Sequence, residues 1–217
     1  MLALIKKDFQ IFNPFVYLFL SLLIFGMAYV SLPAIFMMVI GTFAVGFSTF
    51  TYDEKNKTNI AVVSMPIPKQ TMVISRYLYS VGILVTILFI EWIGTNISYS
   101  STFEPYSFVD FLMLFAVGLV LFAFCYPILY FFNNSYVAML LIFLFIIIGT
   151  FFTIDATTNI MGMTDEIVFN RHDKGLALLA ENYIPFQPYL LVLLASIGMF
   201  LASIKISTLL FQRKDLS

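Results

Sequence analysis

Long apolar runs broken by short polar interruptions make up nearly the whole chain, and the length and period of each run predict its element. At the start, Leu2, Ile5, Phe9 and Phe12 recur at helical spacing while Lys6, Lys7 and Gln10 fall elsewhere. That pattern predicts a helix over residues 1–13 lying flat on a membrane surface. Asn13 and Pro14 then turn the chain inward. Apolar runs over 14–30 and 33–50 are each near the ~20 residues that a bilayer needs. Only Ser31 and Leu32 separate them, so they form a tight outer hairpin. A third span is predicted over 72–98. Residues 108–154 are almost wholly apolar and as one helix would be ~70 Å long, so they divide into two spans. Asn133, Asn134 and Ser135 supply the turn between them, and Pro127 and Gly118 are expected to kink or loosen the fourth span. The sixth span covers 186–211, with Arg213 and Lys214 at its exit.

Two polar regions interrupt this series. The first, over 51–76, carries Lys55, Lys57, Lys69 and Arg76. Thr51 and Glu54 stand at capping-box spacing, and Asp53 with Glu54 would favour the start of a short helix running toward Ser64. Pro66 and Pro68 stop it, and Gln70 or Thr71 opens the next apolar run. The second region, within 155–188, holds Asp155, Asp165, Glu166, Asp173 and Glu181 against Arg171 and Lys174. It reads as an extracytoplasmic loop, chiefly 155–185, whose stretch 175–183 dips into the outer leaflet.

Composition turns this pattern into a fold class. The 217 residues are 61% hydrophobic and 11% charged, with a mean hydropathy of +0.99, against roughly 25% charged in a soluble domain. Twenty-six Phe, twelve Tyr and eleven Met suit lipid contact. The expected fold is an all-α membrane protein: one domain over 1–217 with six transmembrane helices, an interfacial N-terminal helix, and a cytosolic loop over 51–70. Six spans put both termini on one side. Placing that side in the cytosol leaves only Arg171 and Lys174 of the eleven basic residues outside. The N-terminus lacks a signal-peptide cleavage pattern and is kept as mature sequence.

Most catalytic chemistry is missing from the pattern. A phosphate-binding loop needs glycines followed by Lys and Ser or Thr; Gly41 and Gly46 have the spacing, yet Phe47 and Ser48 follow. No zinc motif or nucleophile elbow is present, His172 sits in a charged outer loop, and Cys125 is a lone thiol in an apolar run. Two ionisable residues fall inside spans. Glu91, about 22 Å from the inner face, reads either as a carboxylate facing an internal cavity or as one held near the outer headgroups or a neighbouring helix. Lys205, about 12 Å deep, snorkels toward the inner face. Tyr17, Tyr29, Tyr126, Tyr130 and Tyr136 read as interfacial belts first and a substrate path second.

The surface helix, the six spans, the hook YDEKN at 52–56, the SMPIPK turn at 64–69 and the ISRYL segment at 74–78 together resemble permease subunits of ABC-2 type exporters. The likeness in topology covers the chain, and the small bacterial permeases of phenol-soluble-modulin and other peptide exporters look most similar. The resemblance implies a half-transporter in the bacterial plasma membrane, with no enzyme activity or cofactor of its own. ATP and Mg would bind a separate cytosolic subunit, and a second permease copy or a paralogue would complete the path. No nucleic-acid partner is implied. By the same resemblance a coupling helix over 53–64 would dock on the ATPase, with Asp53, Glu54, Lys55, Asn56, Ile60, Ser64, Met65 and Pro66 as contact residues. The second and fifth spans would line the cavity with Phe43, Phe47, Phe50, Phe143 and Phe151, joined by Glu91 if it faces inward. The outer gate would lie around 175–188. That loop is short and lacks cysteines, which departs from the larger capped relatives. The competing readings are an exporter and an ion-coupled carrier or substrate-capture subunit using Glu91, and a membrane enzyme is the third.

Overall fold

The computed structural model describes residues 2–11, 13–29, 34–41, 48–56, 68–97, 106–132, 134–161 and 169–213. Among these residues the ordered elements are all helices: α1 Leu2–Gln10, α2 Pro14–Tyr29, α3 Ala34–Gly41, α4 Ser48–Lys55, α5 Lys69–Ile97, α6 Phe108–Phe131, α7 Ser135–Met161, α8 Phe169–Tyr183 and α9 Pro188–Arg213. Helices α5, α6 and α9 are each long and apolar enough to cross a bilayer. A fourth span results if α1 and α2, whose axes meet at 75°, are one broken unit, and Ser135–Gly149 is a shorter apolar stretch.

Local chemistry explains several boundaries. Asn13 caps α2, its Oδ1 accepting from Phe15 N at 3.2 Å, and Pro14 follows at the one position where its missing N–H costs nothing. Ser107 and Asp110 form a reciprocal capping box on α6: Ser107 Oγ accepts from Asp110 N at 3.2 Å and Asp110 Oδ2 accepts from Ser107 N at 2.8 Å. The S-x-x-D spacing of Ser107 and Asp110 carries this cap. The expected break at 133–135 is present, with Asn134 Oδ1 accepting from Tyr136 N at 2.9 Å to open α7.

Helix α5 is the hub, packed against α1, α2, α3, α6 and α9, and its buried residues run from Met72 to Thr95 on more than one face. Gly118 brings α6 against it, for a methyl group there would stand 2.5 Å from Leu84 Cδ2. The glycine expected to loosen the fourth span therefore serves close packing. Helix α9 packs extensively on α6 and is inside out by soluble standards. Ser196, Ser203, Ser207 and Thr208 are buried while Leu190, Leu194, Leu201 and Leu209 are exposed. Small polar residues inward and leucines outward suit a helix solvated by lipid.

One expectation is corrected. Thr51 does not cap a helix: it lies inside α4, its hydroxyl donating to Ser48 O at 2.8 Å, because the helix has already begun three residues earlier. Asp53 and Glu54 consequently sit in a last turn, not a first. The rest of the expected hook helix, residues 57–67, and residues 42–47 of the second span lie outside the described residues.

Candidate functional site

A helix C-terminus carries partial negative charge, so two successive acids in the last turn of α4 need compensating partners. Asp53 is fully buried and finds two. Lys7 of α1 donates to both its carboxylate oxygens at 3.1 Å, and Arg76 of α5 pairs with Oδ2. Lys7 Nζ also stands 3.3 Å from Asp8 Oδ1. The Arg76 guanidinium carbon lies 4.4 Å from the centre of the Phe50 ring, a cation–π contact from the preceding turns of α4. Of the paired side chains Lys7 is 30% exposed, Arg76 9% and Asp53 0%, so the cluster is most exposed at Lys7. A cleft of about 20 Å³ among Lys7, Asp8, Arg76 and Tyr130 is large enough for one water. Burial pushes the Asp8 carboxyl above its ordinary value, opposed by the charges of Arg76 and Lys7.

Glu54 points to a different helix. Its Oε2 accepts from Ser135 N at 2.8 Å and from the Ser135 hydroxyl, placing a carboxylate on the positive end of α7. Two neighbouring acids thus tie one short helix to three others: Asp53 to α1 and α5, Glu54 to α7. Phe50 adds α6, meeting Tyr126 and Tyr130 edge-on at 5.6 and 5.3 Å.

Buried hydroxyls extend the network along α5. Tyr126 OH shares a hydrogen bond with Ser80 and donates to Arg76 O at 3.3 Å. Tyr77 OH reaches Ser203 Oγ at 2.6 Å and Ser207 Oγ at 2.8 Å, joining α5 to α9. Tyr17 OH donates to Phe9 O and shares a bond with Tyr79 OH, both at 3.1 Å. Of the tyrosines read as belts, Tyr126 and Tyr130 are therefore core residues.

The remaining sequence candidates are dispersed. Lys55 and Asn56 are exposed at the tip of α4, beside Tyr52, with Asn56 Nδ2 donating to Tyr52 O at 3.0 Å. Phe50 is packed in the aromatic cluster, Phe143 is 52% exposed on α7, and Glu91 is buried within α5. Lys205 is exposed on α9. Phe43, Phe47, Ile60, Ser64, Met65 and Pro66 lie outside the described residues, as does the side chain of Phe151. The Lys7–Asp53–Arg76 cluster escaped sequence reading, and the one available signal was that Asp53 is an acid in a basic loop.

A family model described as ABC-2 family transporter protein matches residues 3–212. The chain belongs to this family. Family membership and the long apolar helices make it a multi-pass membrane protein and a transport subunit, in a family whose subunits bind no cofactor themselves and work with an ATP-binding partner. No group of His, Cys, Asp and Glu among the described residues could hold a metal ion. A search of curated proteins found no match.

Proposed function

We propose that the chain is the permease subunit of an ABC exporter, built as six spans with an interfacial α1 and both termini in the cytosol of a bacterial cell. A separate ATP-binding subunit would drive it, a second copy or a paralogue would complete the pathway, and the cargo would be amphipathic or apolar, a peptide in the favoured case. The observation that carries this reading is the double attachment of α4. Its outer tip presents Tyr52, Lys55 and Asn56, while its last turn is bonded to α1 and α5 through Asp53 and to α7 through Glu54. Displacement applied at the hook is transmitted to the interfacial α1 and to α5 and α7 because each keeps its own backbone bonds and moves as a rod.

Co-purification tests it. Wild type retains an ATP-binding subunit, Lys55→Glu weakens retention, and deletion of residues 56–60 abolishes it. Undiminished retention by the deletion overturns the coupling role. Glu54→Lys is a poor probe, because it breaks the α7 contact inside the chain.

The burial of Glu91 favours a second reading, a carrier that titrates this carboxylate. That carrier stops in Glu91→Gln and ignores ATP depletion; transport that survives Glu91→Gln and fails without ATP removes it.

A further inference from the structure

Between α2 and α5 lies a groove of about 240 Å³ that the coupling network does not use. Tyr17, Leu20, Ser21 and Ile24 line one wall, at successive turns of α2. Ile83, Thr86, Ile87 and Ile90 line the other at the same spacing on α5. Phe9 of α1 stands at one end and Gly41 of α3 at the other. A methyl group at Gly41 would meet Ile87 Cδ1 at 2.4 Å, so α3 closes that end tightly. Two of its polar groups are already engaged within the chain: Tyr17 OH with Phe9 O and Tyr79 OH, and Thr86 Oγ1 donating to Gly82 O at 2.8 Å. The walls therefore offer mainly apolar surface. An apolar cavity of about 150 Å³ already takes a benzene ring, and this one is larger and elongated.

Shape selects the occupant. From Tyr17 to Ile24 the groove runs about 10 Å along the helix, a third of the ~30 Å hydrocarbon thickness. A helix with side chains is about 10–12 Å across and cannot enter a space of this volume. Charge selects its headgroup. Lys6 is exposed one turn before Phe9 on α1, at the border of its apolar face, whereas Lys7 is engaged by Asp53 and Asp8. We propose that this groove binds one acyl chain of an anionic bilayer lipid, with Lys6 beside its headgroup. The proposal rests on the reading of α1 as an interfacial helix and is independent of the ATPase partner.

The test uses the full chain in nanodiscs of phosphatidylcholine carrying a small fraction of phosphatidylglycerol with a photoactivatable acyl chain, followed by mass-spectrometric mapping of adducts. Ile24 and Ile87 are 5% and 3% exposed, whereas Leu18 and Leu22 on the outer side of α2 are 60% and 62% exposed. Bulk lipid labels the second pair; only a chain inside the groove labels the first. Adducts on Ile24 and Ile87 are expected, are lost in Thr86→Trp, which fills the mouth from an exposed position, and fall about five-fold in Lys6→Gln. Labelling confined to Leu18, Leu22 and similar outward positions overturns the proposal, as does chain-to-chain crosslinking at Ile87, which would mean a second copy covers the groove. Equal groove labelling by photoactivatable phosphatidylcholine and phosphatidylglycerol overturns the role of Lys6. Because no ATPase is present, none of these outcomes depends on the exporter reading, whose own failure appears in co-purification.

Discussion

The first half of α5 is held by two opposite strategies. Arg76 joins a buried ion cluster with Asp53 and Lys7; the next residue, Tyr77, and Ser80 one turn on use neutral hydroxyl bonds to α9 and α6. Buried ions are costly to desolvate and are stabilised only by full pairing, so they tolerate the loss of a partner badly. Hydroxyl pairs between membrane helices are weak, and each contributes a fraction of a kcal/mol to about 1.7 kcal/mol. The ion cluster thus fixes which elements meet, and the neutral seam lets apolar helices adjust against one another. That division suits a machine whose hook must stay attached while its spans shift.

The largest test of this contrast removes one ion. Arg76→Ala leaves Asp53 buried with Lys7 as its partner and is expected to cost about 3–5 kcal/mol in unfolding measured in detergent. The double variant Asp53→Asn with Arg76→Met should recover part of that loss, since it removes both charges together. Equal loss in the single and double variants would show that the cluster acts through packing and not through charge.

How much of this was legible beforehand follows the same divide. Apolar runs announced α5, α6 and α9 and the break at 133–135, because span length and hydropathy are local properties of the chain. The ion cluster was invisible, since Lys7 and Asp53 are 46 residues apart and Asp53 and Arg76 are 23 apart. Tyr77 meets Ser203 across 126 residues, and nothing in the apolar run around either marks the pair. Glu54 was misread for a different reason: T-x-x-E is a short pattern that also arises inside a helix, and only the helix already running at Ser48 tells the two apart. The coupling candidates Lys55 and Asn56 were legible as exposed polar residues, but Asp53 and Glu54 were legible only as acids.

Smaller effects are expected on the neutral seam. Tyr77→Phe keeps the ring and its contact with Phe200 at 5.2 Å, and loses the hydroxyl that Ser203 and Ser207 share. The expected cost is about 1–2 kcal/mol. A loss as large as that of Arg76→Ala would erase the distinction between the ion cluster and the hydroxyl seam.

Next in size comes the contact from α4 to α7. Glu54→Ala removes a carboxylate acceptor from the first turn of α7 and should cost about 1 kcal/mol, with Glu54→Gln retaining an acceptor and losing less. Coupling gives the sharper readout: substrate-stimulated ATP hydrolysis should fall in Glu54→Ala while ATPase binding, which depends on the exposed tip, is kept. Loss of both together would place Glu54 at the subunit contact.

The smallest effect should have the opposite sign and resolves the ion cluster itself. Burial raises the Asp8 carboxyl in the folded chain, so the native state holds that proton to higher pH than the unfolded state does. Stability from this group is present below the unfolded value near 3.8 and is lost as pH rises through the folded value. Asp8→Asn abolishes that loss. Relative to wild type it should therefore be slightly more stable at neutral pH, and the difference should shrink as pH falls through the folded Asp8 value. Thermal unfolding of both proteins across that range reads the sign directly. A destabilised Asp8→Asn at neutral pH would mean that the Lys7–Asp8 pair outweighs desolvation, making Asp8 a full member of the ion cluster and not an acid held at its edge.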